Sequence, residues 1–200
     1  MPARASCNFL NTVREPMTRS ITLLWLLLFP LITMAENGDL YQVDLLIFAN
    51  TNAKSAQIEN LTAPLVITNH KSVTELATSS DSATNAYKLL KNSASHLQKE
   101  KQLLLNSADY QLLFQYSWLQ PLDGTKTISL PQQMNNGWDS SGFVRVVYRN
   151  HYYQLDTDIN LTPPDSKMFI LAQNKRLKDG TLYYLDHPTA GILVKISKVS

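Results

Sequence analysis

The chain of 200 residues contains one cysteine, Cys7, and six glycines. A single thiol excludes an internal disulfide framework and any cysteine-built metal site. Charge is scarce as well: 17% of the residues are Asp, Glu, Lys or Arg, below the roughly 25% usual in soluble domains, which argues against a disordered acidic or basic tail. Neither sign dominates. The net charge of +2 is accounted for by Arg4, Arg14 and Arg19 against Glu15, all before residue 36. The balanced remainder lacks the electrostatic footprint of a nucleic-acid binder. Catalytic signatures are missing too, with no Gly-x-Ser-x-Gly elbow, no His-Glu-x-x-His and no phosphate-binding glycine loop. His70, His96, His151 and His187 are scattered without metal-ligand spacing. The expectation is no catalytic residues, no metal and no cofactor.

What is present begins with an address. From Ile21 to Ala35 the chain is dominated by Leu, Ile, Trp and Phe behind a basic flank. The run falls short of the roughly 20 residues that cross a bilayer, and it ends at the small-residue site Thr33-Met34-Ala35. This reads as a signal peptide over residues 1–35, cleaved before Glu36 and leaving no stable membrane span. An uncleaved N-terminal anchor is the alternative. Met17-Thr18-Arg19 offers a second start that opens a compact signal by itself. Cys7 lies upstream of the apolar run, which argues against a lipoprotein anchor. Residues 36–200 are then a single exported domain without a thiol, of a size to hold together by its core in an oxidising compartment.

Within that domain, residues 41–49 form an apolar, β-branched strand interrupted by Asp44. Residues 50–95 are rich in Ser, Thr, Asn and Ala and are expected to be a flexible surface stretch, with a short strand near 64–69. A helix is predicted over 93–106: Leu89, Leu90, Leu97, Leu103 and Leu104 supply the apolar positions, His96 to Lys101 the wet side, and Ser93 or Ser95 the cap. Strands follow at 110–120, 143–149, 153–161, 167–175, 181–185 and 192–197, punctuated by Pro121, Asp123-Gly124, Asn150-His151, Pro163-Pro164, Asp179-Gly180 and Asp186-His187-Pro188. The predicted fold class is α+β, a mainly antiparallel sheet with an amphipathic helix packed on one face.

Three sets of residues could do chemistry. Asp186 and His187 are adjacent, so on a strand they point to opposite faces and make a poor acid–base pair; they read as structural punctuation ahead of Pro188 and Gly191, or as ligand contacts. Trp118, Tyr148, Tyr152, Tyr153, Tyr183 and Tyr184 crowd the predicted strands. They are either core or a flat row on which sugar rings stack. Arg145, Arg149, Lys175, Arg176 and Lys178 lie nearby. They either hold carboxylates of a peptide stem or a partner, or solubilise the sheet. His70 and His96 read as solvated.

The stretch Arg176-Leu177-Lys178-Asp179-Gly180-Thr181-Leu182-Tyr183-Tyr184-Leu185-Asp186-His187-Pro188-Thr189-Ala190-Gly191-Ile192-Leu193-Val194 resembles the C-terminal signature of the CsiV family of periplasmic peptidoglycan-binding proteins. The opening strand, the Trp118-Leu119-Gln120-Pro121 segment and the region 152–161 with Asp158 are similar to other family pieces, in the family's order. Tyr183 stands where that family usually carries His, and Lys175-Arg176 replaces its Arg-Arg. The resemblance implies an exported, non-enzymatic protein of a Gram-negative bacterium that binds peptidoglycan in the periplasm and supports cell-wall assembly. It points to cell-wall synthases or their envelope activators as further partners. Trp118, Gln120, Arg176, Tyr184, Asp186 and His187 are the contacts expected on that reading. The alternative is a periplasmic protein–protein adaptor of an envelope complex that touches no glycan.

Overall fold

The structure, a computed structural model, describes residues 39–51, 72–77, 86–164 and 167–199. The expected signal peptide, the strand near 64–69 and the polar run around 78–85 lie outside them. Among the described residues nine strands and one α-helix follow one another: β1 (Leu40–Asn50), β2 (Val73–Glu75), α1 (Gln98–Leu105), β3 (Tyr110–Pro121), β4 (Thr127–Asn135), β5 (Trp138–Arg149), β6 (Tyr152–Thr162), β7 (Phe169–Leu177), β8 (Leu182–Asp186) and β9 (Ala190–Lys198). The strands form two sheets, ordered β3-β1-β9-β8 and β2-β4-β5-β6-β7. Every pairing is antiparallel except that of β2 with β4. The described residues are 64% strand: the expected mainly antiparallel pairing is present, and the fold is more β than the α+β expectation, with two sheets in place of one.

Alternation explains the core between the sheets. Tyr41, Val43, Leu45 and Ile47 of β1 point inward with Ile192, Val194 and Ile196 of β9, and they meet Ile128, Val144, Val146, Leu155 and Ile159 of the other sheet. Polar groups pin the layers together. The Val146 carbonyl of β5 accepts from both Tyr41 Oη at 3.2 Å and Gln120 Nε2 at 2.9 Å. β1 sits between β3 and β9 and is buried on both faces. Its sequence accordingly reads as a nearly continuous apolar run.

The outward face of β1 carries Gln42, Asp44, Leu46 and Phe48, and it explains why the helix is shorter than predicted. Asp44 has no exposed surface. Its carboxylate accepts from Ser117 Oγ at 2.6 Å, Gln42 Nε2 at 3.0 Å and the His96 amide at 3.3 Å, and His96 Nδ1 lies 3.3 Å from it. Gln42 Nε2 also donates to the Ala94 carbonyl at 2.8 Å. Backbone groups that a helix from 93 would use for itself are thus bound by sheet side chains. The chain makes a 3₁₀ turn at Asn92–Ala94, turns extended at Ser95 and starts α1 at Gln98. The His96 side chain is 45% exposed, as expected of a solvated residue, and its backbone amide takes part in this anchor.

Leu97 and Leu104 form a small apolar cluster with Leu46 and Phe48, whereas Leu103 and Leu105 are more than half exposed. Leu89 and Leu90, expected in the helical pattern, instead line up against β3: Leu89 bridges Trp118 and the Leu90 amide donates to the Ser117 carbonyl. β4 is an addition to the expected strands. Pro131 argues against a strand there, and the structure accommodates it at a register shift between Leu130 and Gln133, where the ladder is broken. Asn136-Gly137, both at positive φ, then makes the tight turn that extends β5 back to Trp138. Asn150-His151 does the same before β6, so the turn expected at His151 is present.

Candidate functional site

The Asp186-His187-Pro188 segment joins the edge strand β8 to β9. Asp186 is the last paired residue and stands opposite Gly191. His187 Nδ1 accepts the Thr189 amide at 3.3 Å, and its ring stacks on Phe169 of β7 with centroids 4.6 Å apart and planes within 6°. The imidazole therefore holds the turn and ties it to the second sheet. Burial pushes the His187 pKa below its ordinary 6.5, with the Asp186 charge pulling the other way. The unfolded chain then takes up this proton first as pH falls. The stability tied to neutral His187 is complete above about pH 6.5 and is lost as pH falls through the folded value. Denaturant titrations at about pH 7.5 and about pH 5.5 should show a larger drop in midpoint for the parent than for His187→Gln. An equal drop in both would remove His187 from this account.

Gly191 has a different physical reason. A methyl group placed on it would lie 2.6 Å from Tyr184 Cε2 and 2.7 Å from Phe48 Cζ. The absence of a side chain lets both rings rest on the strand. Phe48 and Tyr184 are near parallel, 6.0 Å apart and 20° off, and Tyr110 of β3 meets Phe48 edge-on at 5.3 Å and 85°. Tyr110, Phe48 and Tyr184 thus form a row across the outer face of the first sheet, carried by β3, β1 and β8. The outer two are 42% and 48% exposed, whereas Phe48 is 5% exposed. At the rim, Tyr184 Oη donates to Asp186 Oδ1 at 2.5 Å. Burial, and then this bond, push the Tyr184 hydroxyl up to about 12, so at neutral pH it is a donor and the carboxylate an acceptor.

The six residues expected as contacts separate. Tyr184, Asp186 and His187 share one turn. Arg176 lies on β7 with its guanidinium 4.8 Å above the Tyr152 ring, a cation–π contact rather than a place in the row. Trp118 and Gln120 have no exposed surface. Trp118 Nε1 donates to Gln120 Oε1 at 3.3 Å, and both belong to the interior, a correction to their expected place at the surface. For the six aromatics, the core alternative describes most of them. Trp118 and Tyr153 are core, Tyr148 and Tyr183 pack against it, and of the six Tyr184 is the exposed one. Sequence reasoning missed Tyr110 and Phe48, because their proximity to Tyr184 depends on β1 lying between β3 and β9.

Nothing in this arrangement assembles a reactive dyad, since His187 Nδ1 serves a backbone amide and Asp186 serves a tyrosine. Among the described residues no three His, Cys, Asp or Glu side chains are grouped to hold a metal ion, and no helix is long and apolar enough to cross a membrane. A cleft of about 520 Å³ opens on the second sheet near Pro131, lined by Glu75, Ser129, Gln132, Ser141 and Asn160 among others, away from the signature residues. No curated protein and no solved structure matches the chain. The sequence profile described as "Peptidoglycan-binding protein, CsiV" matches residues 19–199, and on that match the chain belongs to the CsiV family.

Proposed function

We propose that this chain is an exported, non-catalytic protein of the Gram-negative periplasm that binds peptidoglycan and supports cell-wall assembly. The family match carries the reading. Its physical support is that two residues of the C-terminal signature, Tyr184 and Asp186, lie on an exposed face, with Gly191 buried beneath it. Cell-wall synthases or their envelope activators are the protein partners that fit such a role.

The alternative, an adaptor docking through a sheet edge, finds the edges of the first sheet engaged. On β3, the Leu113, Ser117 and Leu119 carbonyls accept from Asn135 Nδ2 and from the Leu90 and Tyr87 amides. On β8, the Tyr184 and Asp186 carbonyls accept from Lys175 Nζ and Gln173 Nε2, each at 3.4 Å. Strand addition needs those groups free.

The test is co-sedimentation of the exported, purified protein with isolated sacculi at low salt, with a heat-unfolded sample as control. Retention of the folded protein alone is expected. Absence of retention, with a stoichiometric envelope protein recovered by pull-down, would favour the adaptor.

A further inference from the structure

Peptidoglycan offers two chemistries, a neutral sugar chain and charged stem peptides, and the family match does not choose between them. We infer that the Tyr110–Phe48–Tyr184 face takes the sugar chain, with the tyrosine rings against the apolar faces of sugar rings and Asp186 accepting from a hydroxyl or an acetamido N–H. The inference rests on the peptidoglycan-binding reading and narrows it.

Shape is the first argument. Phe48 lies near parallel to Tyr184 and edge-on to Tyr110, so the two exposed tyrosines flank one buried ring and offer two aromatic surfaces at different tilts. Both tyrosines are held by aromatic packing, so little side-chain freedom remains to be lost on binding. Gly191 keeps the site shallow and flat, because any side chain there would lift Phe48 and Tyr184.

Electrostatics is the second argument. The charged group within the row is the Asp186 carboxylate, which suits O–H and N–H donors and repels the carboxylates of a stem peptide. Lys175 is turned elsewhere: its ammonium lies on the Tyr184 carbonyl and 5.8 Å from the Tyr183 ring, and Tyr183 faces the other side of β8 from Tyr184. Lys195 shares the outer face but stands across from Leu182, two pairs further along than Tyr184.

The test titrates the protein directly with two probes, peptide-free glycan strands released from sacculi by an amidase and free stem peptides. Binding of the strands and not of the peptides is expected. Tyr184→Ala and Tyr110→Ala should each weaken strand binding by about tenfold or more, measured at a temperature where each variant is still fully folded because both rings also pack on Phe48. Tyr184→Phe, which keeps the ring, should retain most of the binding. Binding of stem peptides alone, or tyrosine variants that bind strands like the parent, would overturn the inference. Retention on intact sacculi without strand binding sinks this inference alone, whereas no retention on sacculi sinks the peptidoglycan reading beneath it.

Discussion

Trp118→Ala is expected to lower the unfolding free energy by about 3–5 kcal/mol, the range for truncating a fully buried large aromatic. Trp118 has no exposed surface, it stands opposite Val43 in the β3–β1 ladder, and it packs in the core shared by both sheets. Its indole N–H is satisfied by Gln120, whose own amide reaches across to the Val146 carbonyl. The substitution therefore opens a cavity and frees the residue that pins β3 to β5. Against a total stability of about 5–15 kcal/mol for such a domain, this is a large fraction. Urea titration should show the midpoint moving far down. Wall binding measured below that midpoint should persist, because the ring is remote from solvent. A variant that melts like the parent and no longer binds sacculi would restore Trp118 as a contact.

Asp44→Ala is the second large effect, expected at about 3 kcal/mol, the upper end of the range for stranding a buried donor, because the buried Ser117 hydroxyl loses its acceptor and the buried Gln42 amide keeps only the Ala94 carbonyl. Ser117 Oγ, Gln42 Nε2, the His96 amide and His96 Nδ1 all converge on this carboxylate. Its loss also releases the Ser95–Leu97 segment that leads into α1, so amide exchange in α1 should accelerate more than in β9. Asp44→Asn keeps the shape and part of the acceptor capacity and should cost less. Equal stability of Asp44→Ala and the parent would show that water replaces the carboxylate at no cost.

Much of the fold was legible in the chain because β1, β3, β5 and β6 carry local signals. The alternation of Tyr153, Leu155, Ile159 and Leu161 and the turn at Asn150-His151 follow from side-chain period and backbone chirality, which need no partner to be read. The helix was misjudged for the opposite reason. Leu89 and Leu90 keep an apolar spacing that suits a helix, but their partners lie on β3, and the carboxylate that stops a longer helix is on β1. β4 was hidden by Pro131, whose missing N–H is harmless only because the strand bulges there.

The site divides along the same line. Asp186, His187 and Gly191 were visible as a compact signature, and Tyr184 came with them. Tyr110 and Phe48 lie far away in the chain and carry no local mark. The burial of Trp118 and Gln120 was equally unreadable, because an aromatic on a strand faces core or solvent according to which sheet covers it. By itself, then, the sequence determined the strand pattern, the turns, the lack of catalytic and metal-binding motifs and the family resemblance, all of which rest on residue type and short-range spacing. Only the tertiary structure decided that there are two sheets, that Asp44 anchors the segment before α1, and that Tyr110, Phe48 and Tyr184 meet over Gly191. Those outcomes depend on which strands become neighbours, a choice made by the burial of the whole core at once.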